Sequence, residues 1–394
     1  MRKLRDEQKG GIFLGIIALI IIAVVLFFMY SLKTDRVREI VEDEKTIKMI
    51  MLVEDDDGDE VFSTLVFYDP ETTKCASYNI PAYTGSIFES LGRTDSLAAV
   101  YKNKGIDVYK KEVEKMTGIT IPFSIVIKME DFVKITDMMG GMRVFISSPI
   151  DCISEEGERW LLPSGAVNLD GDKISVYLRY RTEDETDDDI LDRYQNVVVA
   201  FLTNLHDNRF KIFDTNNYER YGSCISSNLS ESDEKSLLKI LSEVDAESVI
   251  RQTVTGSYRT VEGNRLLIPI NNGDFLKISV EQTANMITAS DGNAAGHVYV
   301  LQVLNGTSID GLAGKTVKTY RDASYNVMPA DNAPPTDETV IIDYIGNETA
   351  AKKIGQLIRC NNIRDATEEE VEENSRKASV DFTIILGRDF AGAR

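Results

Sequence analysis

The feature that most constrains this chain is a continuous apolar run from Ile12 to Tyr30, IFLGIIALIIIAVVLFFMY, which carries no charged side chain. At ~1.5 Å of rise per residue, a helix of this length is about what a bilayer crossing needs. Arg2, Lys3, Arg5 and Lys9 precede it, and Lys33, Arg36 and Arg38 follow it. The cationic leader orients the N-terminus towards the cytoplasm, and the later cations weaken that asymmetry without reversing it. The run is longer than a signal-peptide core, and no small-x-small cleavage pattern follows closely. The sequence therefore predicts an uncleaved, single-pass anchor in the cytoplasmic (inner) membrane, with the bulk of the chain extracytoplasmic.

The rest of the 394 residues is long enough for two or three domains. A net charge of −20 argues against a general nucleic-acid binder, because backbone affinity comes from Lys and Arg. A local basic pocket for an anionic ligand is still compatible with it. The two histidines, His206 and His297, lie in unrelated contexts, which argues against His-based metal sites and a Ser-His-Asp arrangement. Cys75, Cys152, Cys224 and Cys360 are isolated, with no CxxC pair, and read as buried thiols rather than a zinc site or disulfide framework.

Residues 1–11 form a cytoplasmic tail, 12–30 the membrane helix, and 31–45 a charged helical stalk. From Ile47 the pattern becomes β: IKMIMLV, the acidic turn EDDDGDE, VFSTLVFY, the hairpin turn DPETTK, and CASYNIP. Ser96 to Lys115 reads as helix, with Leu97, Val100, Tyr101, Val108 and Val113 inward. IPFSIVIKM is a strand, DFVKITDMMGG a helix stopped by its paired glycines, and RVFISSPI a returning strand. Glu231 to Val249 reads as an amphipathic helix, GNRLLIPI as a β segment, and DFLKISVEQTANMI as a closing helix. Strands and helices alternating in this way predict an α/β sheet with helices packed on it, over 46–287. Residues 288–296 are small and polar and read as a linker. A smaller α/β domain follows over 297–394, with strands VYVLQVLNGT, TVIIDYI and VDFTIILGRDF and helices SIDGLAGKTVKTYRDA and TAAKKIGQLIRC.

The stretch richest in chemistry is VYLRYRTEDETDDDILDRYQN, Val176 to Asn196. Its β-branched and aromatic start predicts a strand, which places Arg179 and Arg181 on one face. An acidic segment, Glu183 to Asp189, follows, then Asp192, Arg193 and Gln195, and then VVVAFLTNL as a buried helix or strand. Three arginines near carboxylates can form a polyanion site, since guanidinium forks match phosphate oxygens. The alternative is a strand with snorkelling arginines beside a solvated acidic loop.

Those residues, in that order, carry a resemblance. The anchor, the α/β domain, LPSGAVNLDGDKISVYLRYR and DILDRYQNV together resemble the LytR-CpsA-Psr family. Leu169, Gly171, Asp172, Tyr177, Arg179 and Arg181 fall on its glycine-led L-x-G-(D/E) to Y-x-R-x-R pattern. DFVKITDMMGGMRVFI resembles its helix-Gly-Gly-strand element. VLNGTSIDGLAGK with VDFTIILGRDF is similar to the LytR C-terminal domain. The resemblance implies an extracytoplasmic protein of envelope assembly that handles glycopolymers on polyprenyl-pyrophosphate carriers. It implies an apolar groove for the lipid, arginines on the pyrophosphate, and aspartates that hold Mg²⁺ or act as base.

By that resemblance Arg179, Arg181 and Arg193 are phosphate-binding candidates, and Arg93 stands where the family often has a lysine ahead of a helix. Asp55, Asp56, Asp57 and Asp59 are candidate Mg²⁺ ligands, or else an exposed turn. Other positions depart from the pattern. The places of the family's R-S-D-T arginine and aspartate fall on Asp59 and Val61. S-I-P-R-D corresponds to Asn79, Ile80, Pro81, Ala82 and Tyr83. With Arg193 as the second arginine of R-x-x-R-Q, Ile190 takes the first and Tyr194 the glutamine; with Arg193 as the first, Asn196 and Val197 take the others. These departures put transferase activity in doubt. The expected partners are the membrane and a polyprenyl-phosphate-linked or other envelope glycan. A non-catalytic role, in binding an envelope protein partner or in structure, is the alternative.

Overall fold

The computed structural model describes residues 36–44, 46–153, 157–182, 184–214, 217–289, 299–377 and 380–392. The Ile12–Tyr30 anchor lies outside the described residues, among which no helix is long and apolar enough to cross a membrane. The stalk is described in part, as the helix Arg36–Glu44. Its Val37 is fully buried, with Ile40 and Val41 packed beside it, so this helix docks on the domain that follows.

A six-stranded mixed sheet forms the centre of the larger domain, in the order Ser226–Ser227, Phe123–Lys128, Ile47–Glu54, Glu60–Tyr68, Cys75–Ile80, Ile250–Thr253. The first described strand, Ile47–Glu54, pairs antiparallel with Glu60–Tyr68 and parallel with Phe123–Lys128. Its side chains alternate between faces, as the pleat requires. Met49, Met51 and Val53 enter one apolar core, and Ile50 and Leu52 enter the other. The first core is covered by the helices Met129–Met138, Gly171–Arg179, Asp187–Asp207 and Glu231–Leu241. The second is covered by Leu97–Lys104, Ile106–Thr117 and Asp274–Thr288. The result is a helix–sheet–helix sandwich.

Three local expectations change. Val176–Arg181 is not a strand: Gly171–Arg179 is helical, capped by Asp170, whose side chain accepts from the Lys173 amide. Ile174, Tyr177 and Leu178 are its buried positions, a spacing of three and four that suits a helix. Arg179 and Arg181 therefore do not share a strand face. The helix read over Ser96–Lys115 is broken at Gly105, whose φ of 76° ends one segment and starts the next. The helix read as Glu231–Val249 stops at Leu241.

The smaller domain has a sheet in the order Asn326–Val327, Val300–Asn305, Phe382–Leu386, Val340–Asp343, Ile363–Asp365, with Asp331–Asn332 also paired to Val300–Asn305. The helices Leu312–Asp322 and Glu348–Ile358 share its core. Phe275 and Ile278 of the helix Asp274–Thr288 bury into that same core. That helix also supplies Glu281 to Lys353 (2.5 Å) and Thr283 Oγ1 to Ser324 Oγ (3.1 Å), so it forms the joint between the two domains. All four cysteines are free thiols.

Candidate functional site

The site begins at Gly171. A Cβ there would stand 2.5 Å from the Val133 carbonyl oxygen, so only glycine lets this helix start against Met129–Met138. Its amide donates to Asp137 Oδ1 at 2.8 Å, which fixes the start. The helix ends at Tyr180, in extended conformation, and so delivers Arg179, Tyr180 and Arg181 in divergent directions.

Arg179 lies at the surface, with Nη2 3.3 Å from Asp56 Oδ2 in the acidic turn between the first two strands. Arg181 is also exposed, but its guanidinium is held by groups of the chain. Its Nη1 donates to the carbonyls of Leu178 (2.8 Å) and Tyr180 (2.6 Å), and its Nη2 to the Tyr194 hydroxyl. Tyr194 in turn stacks on Phe62 at 5.2 Å between centroids. Arg193 approaches the same Tyr180 carbonyl from the other side, donating from Nη1 at 2.5 Å, and its Nη2 pairs with Glu185. The Arg193 and Glu185 side chains are only 7% and 9% exposed, and Arg193 lies 5.4 Å from the ring centres of both Tyr177 and Tyr180. Burial, then the Arg181 charge, pushes the Arg193 pKa below its ordinary value, against the neighbouring Tyr177, Tyr194 and Tyr180, which raise it.

The acidic segment is largely explained by the long helix Asp187–Asp207. Thr186 caps it, with Asp189 completing a reciprocal capping box, and Asp187, Asp188 and Asp189 sit in the first turn, where the helix dipole favours negative charge. Asp187 is also held by Tyr258 (2.6 Å) and Arg265 (3.0 Å). Tyr83 stands against this group, its ring 6.0 Å from Tyr258, in the place where the family motif would put an aspartate.

A cleft of about 420 Å³ opens beside these helices, against the Ser147–Pro149 turn. Its lining carries four carboxylates (Asp184, Glu185, Asp189 and Asp192), one arginine (Arg193) and two tyrosines (Tyr177 and Tyr180). Burial, then the Asp188 charge, raises the Asp192 pKa, and the Thr186 hydroxyl lowers that of Asp189. The cleft is therefore anionic, with hydroxyl, carboxylate and aromatic groups of the kind that bind sugar hydroxyls and ring faces.

Of the four candidate arginines, the structure gathers Arg181 and Arg193 on one carbonyl and places Arg179 a helix-end away. Arg93 is not brought in. It sits on the hairpin Gly85–Phe88 with Arg93–Ser96 and pairs with Asp95 of its own strand at 2.6 Å. The acidic turn does not form a Mg²⁺ cage. Asp55 Oδ1 accepts from the Asp57 and Asp59 amides, Asp56 faces Arg179, and Asp59 pairs with Lys102 at 2.6 Å. Among the described residues no cluster of three or more metal-ligating side chains occurs. An apolar cavity between sheet and helices, lined by residues such as Tyr78, Leu97, Val113 and Leu276, measures only about 10 Å³.

One group has no local sequence signal. The Glu60 carboxyl is enclosed at the start of its strand, with Oε1 accepting from Tyr109 at 3.2 Å. Burial raises its pKa to about 7 against hydrogen bonds from Ser63 and Tyr109 that lower it. Its enclosure depends on helix residues far along the chain, which no local pattern encodes. Glu185 and Tyr194 were likewise unreadable as partners for the arginines.

The family model of LytR-CpsA-Psr proteins matches residues 70–282, and that of the LytR cell envelope-related transcriptional attenuator matches residues 298–390. The chain belongs to the LytR-CpsA-Psr family. It is 24% identical over 156 residues to the polyisoprenyl-teichoic acid–peptidoglycan teichoic acid transferase TagU of Bacillus cereus, covering 39% of this chain and 50% of that protein. The TagU of Bacillus licheniformis is also 24% identical, over 177 residues, covering 44% of this chain and 56% of that protein. The chain thus spans about half the length of these curated relatives. Among solved structures, B. subtilis TagV superposes with a TM-score of 0.54 at 19% identity, covering 61% of this chain and 98% of that one. TagT bound to LI-WTA superposes with a TM-score of 0.51 at 17% identity, covering 63% and 92%. These structural likenesses establish the fold.

Proposed function

We propose that this protein is a membrane-anchored, extracytoplasmic component of cell-envelope assembly that binds a polyprenyl-phosphate-linked glycan without transferring it. The carrying observation is that each family-pattern arginine already has a partner within the chain, above all Arg193, which is buried against Glu185. A phosphoryl-transfer site needs fixed positive groups free to meet charge as it develops on the leaving phosphate. Here the cleft beside Arg193 has four carboxylates for one guanidinium, a balance that repels phosphate and suits sugar hydroxyls. The glycan would occupy that cleft. The headgroup would lie at Arg179 and Arg181, where the exposed Asp56 contact is cheap to displace. With no carboxylate cage in the acidic turn, the reading routes no step through Mg²⁺.

The packed apolar layer favours a second reading, a non-catalytic protein that binds an envelope partner rather than a lipid. Equilibrium binding of a polyprenyl-pyrophosphate glycan by the full chain in detergent separates the two. The proposal expects saturable binding, weakened about tenfold or more by Arg181→Ala. No binding by the unaltered protein would leave only the partner-binding or structural reading.

A further inference from the structure

A second cleft, of about 630 Å³, lies at the joint between the two domains. This is within the range of small-ligand sites, which favour domain interfaces. One wall is Ile250 and Gln252 of the strand at the edge of the central sheet, and another is the turn from Arg321 to Asn326. Ser324 adopts φ 65°, in the left-handed region that most side chains avoid, and its hydroxyl meets Thr283 of the joint helix.

The electrostatics of this cleft are the reverse of those in the arginine cleft. Lys74 and Arg321 line it, and among the described residues no carboxylate does. Lys74 Nζ donates to the Ala289 carbonyl at 2.7 Å and Arg321 Nη2 to the Val327 carbonyl at 3.0 Å. Among the described residues neither cation pairs with a carboxylate, whereas Lys102, Lys115, Lys134, Arg159 and Lys353 all do. In a chain of net charge −20, two uncompensated cations on one concave surface make a local positive basin. Between them the lining mixes amides, such as Gln252 and Asn326, with the apolar side chains of Ile250 and Met286. This combination matches the hydroxyl edge and the C–H face of a sugar ring.

We infer that the interdomain cleft binds an oxyanion, a carboxylate or phosphate ester, carried on a sugar, with Lys74 and Arg321 as its counter-charges. The site is distinct from the arginine cleft and does not depend on how that cleft is used. The test titrates the full chain in detergent with N-acetylmuramic acid, N-acetylglucosamine 1-phosphate and neutral N-acetylglucosamine, by calorimetry. At least one anionic probe binds, and whichever does identifies the oxyanion. The neutral sugar binds much more weakly, and added salt weakens anion binding. Lys74→Gln and Arg321→Gln each reduce anion affinity by about fivefold or more, and Lys102→Gln, outside the cleft, leaves it unchanged. Both cleft residues are exposed, so an unchanged melting curve confirms that the variants fold. Equal binding of the neutral sugar, anion binding untouched in the double variant, or no binding of any probe at millimolar concentration overturns the inference.

Discussion

The buried Arg193–Glu185 pair gives the sharpest test of how this site is built. Both side chains are less than a tenth exposed, so removing one strands the other as an unpaired charge. Arg193→Ala, which also deletes the donor to Tyr180, is expected to cost about 3–5 kcal/mol, a large share of a domain's usual ~5–15 kcal/mol. Glu185→Gln is expected to act in the same direction. At a typical urea slope of about 2–3 kcal/mol/M, that loss moves the unfolding midpoint by roughly 1–2 M. Replacing both, as Arg193→Met with Glu185→Leu, removes the charges together and should recover most of the loss. Arg179→Ala is the matched contrast. Its partner Asp56 and its own side chain are 69% and 47% exposed, so it should cost under about 1 kcal/mol. The chain's one tryptophan, Trp160, lies on the hairpin strand Arg159–Leu162 and reports unfolding of this domain by fluorescence. Equal, small effects of Arg193→Ala and Arg179→Ala would show that water reaches the inner pair and would refute the reasoning. So would a double variant as damaged as the sum of its parts.

Two further outcomes follow from the same packing. Glu60 has a folded pKa raised to about 7 from 4.5, so the folded state holds a proton that the unfolded state has lost between those values. Its contribution is complete below pH ~4.5 and is lost as pH rises towards ~7, on the order of 3 kcal/mol in all. Glu60→Gln should flatten that part of the stability–pH curve, and an unaltered slope would contradict the enclosure of the carboxyl. Gly171→Ala places a methyl against the Val133 carbonyl and should destabilise by about 1–3 kcal/mol, detected as a lower melting temperature; a neutral result would mean that the helix start can shift.

What could be read from the sequence depended on whether its cause was local. Ile47–Glu54 and its partner strand were legible because burial on both faces leaves short, nearly continuous apolar runs bounded by turn residues. Val176–Leu178 misled because its β-branched and aromatic residues favour strands, while the deciding signal was the cap at Asp170 and the buried spacing of Ile174, Tyr177 and Leu178. Arg179, Arg181 and Arg193 could be chosen by motif even with the wrong local structure. Their occupancy could not, since Asp56 lies 123 residues from Arg179 in the chain and Tyr109 lies 49 from Glu60. The hairpin Gly85–Phe88 with Arg93–Ser96 also went unread, and with it the reason that Arg93 stays apart from the other arginines.

The site is proposed to hold a lipid-linked glycan without transferring it. The direct measurement follows transfer from a polyprenyl-pyrophosphate glycan to a peptidoglycan acceptor, by the full chain with Mg²⁺ supplied, at saturating glycan. The account predicts bound glycan with no product above the protein-free control. Turnover that disappears in Arg179→Ala would contradict it, because the arginines would then be acting on the phosphate despite the partners they hold in the structure.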